Sequence, residues 1–363
     1  MSVADDTAST RSRIRVLVVD DSPFMRKAIQ RMLEAADDIE VVATAASGEE
    51  AIEAIARVQP DVVTLDVVLP GVDGIGVLER IMRSHPLPVL MLSSLTTRDA
   101  ETTLVALEKG AVDVVAKPVG YTHMDMPLIA EELLAKVRTA AGVNPLMLRP
   151  RHERSAGAPV RDAPAPPTAA GPVEALVVGA STGGPPALSM LVSSLPADFP
   201  APVLLVQHMP VGFTATFAER LDKYAALRVT EAADGDIFAP GRIFVARSGK
   251  HIQFARRGDR IVLKLGLTPA GLTHMPSIDV AMGSAADAFG NRAIGVLLTG
   301  MGDDGARGLL RMRESGAYTI AESEASAVIW GMPRVAAELG AASHVAALQD
   351  IPGLIARRAR ANR

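Results

Sequence analysis

Acidic side chains in the first third of the chain stand where predicted strands end. Asp20 and Asp21 directly follow one apolar run, and Asp66 ends another. Ser93 follows a fourth apolar run and Lys117 a fifth. Three carboxylates gathered together would repel one another, so a bound Mg²⁺ is the natural compensation. Such a pocket could accept a phosphoryl group on Asp66 and pair Lys117 with the phosphate. The alternative is a set of exposed strand-end acids without a ligand.

A second candidate group begins in the glycine-rich run Gly179–Gly184, which contains Ser181. The run follows an apolar stretch and precedes a helical pattern. Taken alone, it has two interpretations. It is either a helix N-terminus that binds a phosphate, or a tight turn that presents a nucleophilic serine.

Two further strand ends favour the serine interpretation. His208 follows one apolar run, and Asp303 and Asp304 follow another. A histidine could take the proton of the Ser181 hydroxyl, and an aspartate could orient the imidazole and stabilise its charged form. A lone histidine after a strand is usually a loop residue, so the case for His208 rests on its neighbours. Spacing alone does not choose between the two aspartates.

The same turns offer candidate oxyanion donors. Glycines flank Met301, so its N–H is one candidate, and the N–H of Thr182 is a second; the alternative is a tight turn without chemistry. A dinucleotide site is disfavoured, because its second strand should end in an acidic residue and here ends in Gln207-His208. His274, beside Pro276-Ser277-Ile278-Asp279, is a candidate for the lining of a substrate groove.

Alternating strands and helices must position these residues. From Arg15 to about Ala141, β-branched runs alternate with amphipathic segments, which indicates a parallel sheet covered by helices. Its strands are predicted at Val16–Val19, Val41–Ala45, Val62–Leu65, Pro88–Leu92 and Ala111–Val115. A second such pattern has its clearest strands at Ala175–Val178, Pro202–Val206 and Ala293–Leu298. Three runs with alternating polarity predict a hairpin insertion of antiparallel strands: Arg242–Val245, His251–Phe254 and Arg260–Lys264.

The predicted fold class is α/β with two doubly wound domains. Residues 14–133 form a flavodoxin-like domain with a five-stranded parallel sheet, and residues 173–363 form a Rossmann-like domain with an antiparallel hairpin insertion. Residues 134–172 hold a helix end and a Pro/Ala-rich linker. Because carboxyl ends of parallel strands share one edge of a sheet, each candidate group should gather at such an edge.

Composition excludes several classes of protein. The net charge is −4, with 37 basic and 41 acidic residues spread along the chain, which gives no footprint for nucleic acid. The absence of cysteine excludes disulfides, cysteine-based zinc sites and a cysteine nucleophile, and suits a reducing compartment. No apolar run approaches the ~20 residues that span a bilayer, and the N-terminus lacks a leader pattern. We therefore expect a cytoplasmic protein that is not embedded in a membrane.

The first group of residues resembles the receiver signature of response regulators. The matching positions are Asp20-Asp21, Asp66, Leu69-Pro70-Gly71, Asp73-Gly74 and Lys117-Pro118. This resemblance covers about a third of the chain and implies phosphorylation of Asp66 by a CheA-type histidine kinase. It also implies Mg²⁺ on Asp21, Asp66 and a backbone carbonyl near Val68, with a hydroxyl switch at Ser93. Many receivers carry an aromatic residue three positions before the lysine, where this chain has Val114.

The second group resembles the catalytic domain of the chemotaxis protein-glutamate methylesterase and glutamine deamidase family. The matching segments are Gly179–Gly184, Gln207–Pro210, Pro276–Val280, Gly300–Gly305 and Gly331–Pro333. The resemblance implies a triad of Ser181, His208 and Asp304, in preference to Asp303, and a hydrolase site without a cofactor. Its implied substrates are γ-glutamyl methyl esters and specific glutamines on the cytoplasmic helices of chemoreceptors, within a two-component system.

Two other functions stay open at this stage. One is the same esterase chemistry in a chemosensory array outside chemotaxis. The other is a receiver with a nucleotide-binding or DNA-binding output domain; the acidic balance and the missing helix-turn-helix argue against DNA binding. If the chain is a regulated esterase, we expect the unphosphorylated receiver to pack over the Ser181 cleft.

Overall fold

A computed structural model of the chain describes residues 13–94, 96–117, 126–148 and 171–360. Pro118 of the predicted receiver signature lies outside these described residues. So does residue range 149–170, which is nearly all of the Pro/Ala-rich part of the predicted linker.

The first domain alternates strands and helices, as predicted. Its strands are β1 (Ile14–Val19), β2 (Ile39–Ala45), β3 (Val62–Asp66), β4 (Val89–Ser93) and β5 (Asp113–Ala116). Its helices are α1 (Pro23–Glu34), α2 (Gly48–Val58), α3 (Gly74–Ser84), α4 (Thr97–Glu108) and α5 (Met126–Ala141), followed by a 3₁₀ turn at Pro145–Leu148. Helix α5 runs through the predicted boundary between residues 133 and 134, so the helix end assigned to the linker region belongs to this helix.

The five strands form one parallel sheet in the order β2-β1-β3-β4-β5, which confirms the flavodoxin-like prediction. Every residue of β3 and β4 is buried, as expected for strands covered on both faces. Short polar side chains cap the first four helices. Ser22 caps α1, and Asp73 caps α3 by accepting a hydrogen bond of 2.8 Å from the N–H of Gly76. Because β1 and β3 are parallel neighbours at the switch point of the sheet, their carboxyl ends face one shared crevice.

The second domain has nine strands and six helices among the described residues. The strands are β6 (Ala175–Ala180), β7 (Val203–Gln207), β8 (Arg228–Glu231), β9 (Arg242–Val245), β10 (His251–Arg257), β11 (Arg260–Gly266), β12 (Ala293–Leu297), β13 (Tyr318–Glu322) and β14 (His344–Ala346). The helices are α6 (Gly184–Ser193), α7 (Phe213–Asp222), α8 (Ile278–Phe289), α9 (Ala306–Glu314), α10 (Met332–Glu338) and α11 (Ile351–Arg360), with 3₁₀ turns at Gly290–Arg292 and Leu348–Asp350.

Seven of these strands form a parallel sheet in the order β14-β13-β12-β6-β7-β9-β8. The Rossmann-like prediction is confirmed, and the chain reverses its direction of winding between β6 and β12. Open α/β sheets place ligands at such a switch point, beyond the carboxyl ends of the strands.

The predicted hairpin insertion is right for two of its three strands. Strands β10 and β11 pair antiparallel in a separate two-stranded sheet. The prediction is wrong for Arg242–Val245, because β9 pairs in parallel with β7 and β8 inside the main sheet. Three consecutive apolar residues of β9 are fully buried, which is typical of a parallel strand covered on both faces and not of an alternating hairpin strand.

No helix within the described ranges is long and apolar enough to cross a membrane.

Candidate active site and acidic pocket

The sheet of the first domain gathers the predicted acidic pocket at its switch point between β1 and β3. Possible ligand atoms of Asp20, Asp21 and Asp66 all lie within 4.8 Å of one another. Asp20 and Asp66 are buried, and Asp21 is exposed, so the pocket opens to solvent on one side. Lys117 closes the other side, with its Nζ 2.7 Å from Asp20 Oδ2 and 2.5 Å from Asp66 Oδ2.

The donor set fits a divalent cation. Three carboxylates face the ammonium of Lys117. Asp20 Oδ2 is buried, and within the described part of the chain it has only its ion pair to Lys117 and no well-formed hydrogen bond. Burial raises the pKa of Asp66, and the hydrogen bond and charge of Lys117 oppose that rise only in part. Carboxylate and carbonyl oxygens are the ligands that Mg²⁺ prefers. The backbone of Val68 lies beside this pocket, since its N–H donates a 3.2 Å hydrogen bond to Asp66 Oδ1.

Ser93, the predicted switch residue, is fully buried at the end of β4. Its hydroxyl accepts a hydrogen bond of 2.8 Å from Thr103 Oγ1 on helix α4. Thr103 is also fully buried, and sequence analysis missed it. A hydroxyl in the middle of a predicted helix resembles an ordinary surface threonine, and only the packing of α4 on the sheet reveals its partner.

The second sheet brings Ser181 and His208 together through strand register. Ala180, at the end of β6, is paired with Gln207, at the end of β7, so the next residue of each strand reaches the same crevice. The N–H of His208 donates to the carbonyl oxygen of Ala180 at 3.1 Å. Gln207, whose role sequence analysis missed, is buried and donates 2.9 Å hydrogen bonds from Nε2 to the carbonyls of Ser181 and His208. This amide fixes the backbones of both candidate residues.

The structure places Asp304, and not Asp303, on the histidine. Asp304 Oδ2 lies 2.9 Å from His208 Nε2, whereas Asp303 is exposed. The Asp304 carboxylate also accepts hydrogen bonds at the N-terminus of α8, from Ile278 N–H at 2.7 Å and Ser277 Oγ at 2.9 Å. Burial acts to raise the pKa of Asp304. The hydrogen bond and charge of His208, with the α8 N–H groups, outweigh burial and lower the pKa to about 2.

A carboxylate with so low a pKa determines the tautomer of His208. An ionised carboxylate only accepts, so the Nε2 of His208 must carry the proton that it donates to Asp304. Nδ1 is then the basic nitrogen, and it is buried without a hydrogen-bond partner among the described residues. The geometry therefore leaves Nδ1 of His208 able to accept a hydrogen bond.

Two glycines permit the tight backbone around Ser181. Gly183, two residues after the serine, has a φ of +74°, which favours glycine, and it is the N-cap residue of α6. Gly300 has no room for a side chain, because a Cβ there would lie 2.7 Å from Ser181 Cβ and 2.4 Å from Met332 Sδ. The loop after β12 therefore approaches Ser181 closely.

A Gly300→Ala variant should lose at least about tenfold in the hydrolase activity that the resemblance implies, because the new methyl group would displace Ser181, the candidate nucleophile. Met332 is flexible and can yield, whereas the Cβ of Ser181 cannot. Adding Met332→Ala removes only this flexible neighbour and leaves a cavity in the core, so it should restore neither the stability nor the rate. Unfolding midpoints and hydrolase rates of the single and double variants test this, and recovery of both quantities would contradict the proposed contact.

Both candidate oxyanion residues contact the first domain. Thr182 Oγ1 donates a hydrogen bond to Asp113 at the start of β5, and Met301 Sδ accepts one from Thr139 on α5. Asp113 itself pairs with Lys136 of α5 at 3.3 Å. The α4–β5–α5 face of the first domain thus lies against the loops that surround Ser181.

A charged pair between helix α4 and helix α7 also joins the two domains. Glu108 binds Arg220 of α7 in a bidentate arrangement, in which Arg220 Nε donates to Oε1 at 2.6 Å. The guanidinium side chain is only 15% exposed. Val114, which stands where many receivers have an aromatic residue, is buried and accepts a hydrogen bond from Lys136 through its carbonyl oxygen. Sequence analysis missed these contacts, because all of them join residues from distant parts of the chain.

Comparisons with known proteins agree with this architecture. Residues 176–355 match the CheB methylesterase family, and residues 16–126 match the response regulator receiver domain. A Myxococcus xanthus protein named protein-glutamate methylesterase/protein-glutamine glutaminase 5 is 43% identical, over 96% of this chain and 99% of its own length. A protein from Chromohalobacter salexigens named for the same two activities is 45% identical, over 97% of this chain and 98% of its own length. Another from Pseudomonas aeruginosa is 44% identical, over 96% of this chain and 99% of its own length. The chain therefore belongs to the CheB methylesterase family and carries a response regulator receiver domain at its N-terminal end.

Proposed function

We propose that this protein is a phosphorylation-activated protein-glutamate methylesterase and protein-glutamine glutaminase that acts on chemoreceptors in chemotaxis adaptation. Relatives that match nearly the whole chain carry both activities in their names. The observation that supports the chemistry most directly is the switch-point crevice, where strand register brings Ser181 and His208 to the same sheet edge and Asp304 contacts that histidine. Since the receptor sites belong to cytoplasmic helices, we place the reaction in the cytoplasm.

The proposed reaction proceeds through an acyl-enzyme. Ser181 Oγ attacks the carbonyl carbon of the γ-methyl ester, and its proton passes to His208 Nδ1. Asp304 stabilises the resulting imidazolium, and the N–H groups of Met301 and Thr182 stabilise the oxyanion of the tetrahedral intermediate. His208 returns the proton to the departing methoxide, which leaves as methanol. Water, activated by the same imidazole, then cleaves the acyl-enzyme to glutamate and free serine.

Glutamine deamidation follows the same steps with a different leaving group. The amide nitrogen takes the proton from His208 and leaves as ammonia, and the acyl-enzyme and its hydrolysis are unchanged. A shallow cleft is sufficient for either reaction, since the substrate side chain projects from the surface of a receptor helix.

We propose that Asp66 accepts a phosphoryl group from a CheA-type histidine kinase. Asp20, Asp21, Asp66 and the carbonyl of Val68 would hold a Mg²⁺ ion, which offsets negative charge during phosphoryl transfer when it is bound. Lys117 is in place to pair with the phosphate, since it already contacts Asp66. Burial of Asp66 raises the cost of an unpaired charge there, so the phosphorylated form depends on these partners.

We propose that the unphosphorylated receiver restrains the hydrolase site through its α4–β5–α5 face. The contacts of Asp113 with Thr182 and of Thr139 with Met301 support this, because they engage both proposed oxyanion residues. Phosphorylation would draw Ser93 toward Asp66 and disturb its hydrogen bond to Thr103 on α4. Helix α4 also carries Glu108, so the change would reach the interface through one rigid element.

A methanol-release assay on membranes with methylated receptors tests the proposal. The full chain should release methanol slowly, and a small phosphodonor with Mg²⁺ should raise the rate about tenfold. Asp66→Asn should keep the basal rate and lose the stimulation, as should the wild type after the metal is chelated. Asp37→Asn, at an exposed receiver carboxylate, is the matched control and should respond like the wild type. Stimulation that survives Asp66→Asn would contradict the regulatory proposal, and a wild type that releases no methanol under any of these conditions would contradict the enzymatic one.

A further inference from the structure

The imidazole of His274 lies flat against that of His208. The two ring centroids are 4.0 Å apart, and the ring planes differ by 19°. His274 belongs to the loop between β11 and α8, which also supplies Ser277 and Ile278 to the Asp304 carboxylate. One short segment therefore supports both the catalytic histidine and the acid that orients it.

From this stack we infer that His274 is a positioning residue that fixes the plane of the catalytic imidazole. The inference rests on the proposed function, and it assigns to His274 a part in orienting the base instead of the groove-lining part expected from sequence. His274 contacts His208 through a ring face, so it acts through that imidazole and does not exchange protons with the substrate.

A hydrogen bond alone does not fix the plane of an imidazole. The bond to Asp304 holds one ring atom, Nε2, and the terminal torsion of a histidine side chain is broad. Rotation about that torsion would swing Nδ1 away from Ser181 while the carboxylate contact adjusts. A flat neighbour against the ring face resists this rotation, because tilting loses the close contact between rings.

His274 suits this place because it stays neutral. Burial lowers the pKa of His274, the charges of His208 and Lys136 lower it further, and Asp304 and Asp303 oppose them; the result is about 4. A neutral ring does not repel the imidazolium that forms on His208 during acyl transfer, whereas a protonated one would. The stack therefore persists through both protonation states of the base.

Three variants of the full chain separate a ring-face role from other roles. His274→Ala removes the face, His274→Asn keeps polarity without the face, and His274→Phe keeps a flat face without ring nitrogens. Each is assayed with phosphodonor and Mg²⁺ in two ways: kcat and KM for methanol release, and the rate at which a fluorophosphonate probe labels Ser181. The labelling needs no receptor, so it reports on this inference even if the receptors are not the substrate.

The Ala and Asn variants should lose about 10- to 100-fold in kcat and in labelling rate, with KM within about twofold of the wild type. The Phe variant should recover to within about threefold. A Phe variant as slow as Ala would overturn the inference in favour of chemistry at a ring nitrogen. A rise in KM with unchanged kcat and labelling rate would overturn it in favour of substrate contact. Wild-type values of kcat, KM and labelling rate in all three variants would show that His274 does not position His208. If the Ala variant folds poorly, the comparison of Phe with Asn still decides.

Discussion

A Ser181→Ala variant should release methanol at least about 10⁴-fold more slowly than the wild type, with or without the phosphodonor. The residual rate would come only from groups that bind the substrate and stabilise the oxyanion. Ser194→Ala is the matched control, because Ser194 lies exposed at the end of the helix that follows the candidate nucleophile. That variant should retain the full rate. Substantial methanol release by Ser181→Ala would refute the assignment of the nucleophile.

The adjacent residues Asp303 and Asp304 provide a matched pair for the same methanol-release assay. Asp304→Asn should lower the rate about 10³- to 10⁴-fold, because an amide no longer fixes the tautomer or stabilises the imidazolium. Asp303→Asn, one residue earlier and exposed, should remain within about twofold of the wild type. The same methanol assay compares the pair. Equal losses in both variants would mean that the contact between Asp304 and His208 does not carry the proposed role.

Reversing the interdomain charged pair should activate the unphosphorylated enzyme. Glu108→Arg places two cations together where a bidentate pair now joins α4 to α7, so the basal rate should rise about 5- to 20-fold. Arg220→Glu should do the same by placing two carboxylates together. The double variant, with the charges exchanged, should return toward the wild-type basal rate. Methanol release without phosphodonor measures all four proteins.

The control for this cycle is a bidentate pair that lies within the receiver. Arg138 binds Asp38 through Nε and Nη2 at 2.7 and 2.8 Å, and both side chains are about half exposed. Arg138→Ala should leave the basal rate unchanged. A chain limited to residues 173–363 gives the upper bound, since it lacks the restraining face entirely. If that domain were no faster than the unphosphorylated full chain, the restraining model would be wrong.

Much of the site was predictable from sequence, because its residues sit at strand ends. Asp66 and Lys117 follow buried apolar runs, as do Ser181 and His208, and a parallel sheet aligns the carboxyl ends of its strands. Alternation of strand and helix patterns predicts that sheet without any distant contact. The position of each candidate residue along its own strand is therefore local information, readable from the chain.

Several strands were not predictable in this way. Strand β14 has only three residues, too few to show periodicity, and sequence analysis did not recognise the four-residue β8. The five-residue β13 gave no pattern that sequence analysis recognised. Strand β9 has a pattern that suits a hairpin as well as a sheet interior, and burial on both faces assigns it to the sheet. Pairing with a neighbour defines such strands, and pairing is a property of the folded chain.

The sequence by itself determined the two domains, the sheet edges and the residue types gathered at them. Apolar periodicity and the polar residues at strand ends can each be read from a short stretch of the chain, without any distant contact. Tertiary structure decided which aspartate meets His208, since the docking of α8 and not spacing brings a helix N-terminus to Asp304. It also decided the contacts that sequence could not suggest: the stack of His274 and the receiver face against Thr182 and Met301. Such contacts join residues far apart in the chain, and only the packing of whole elements brings them within reach.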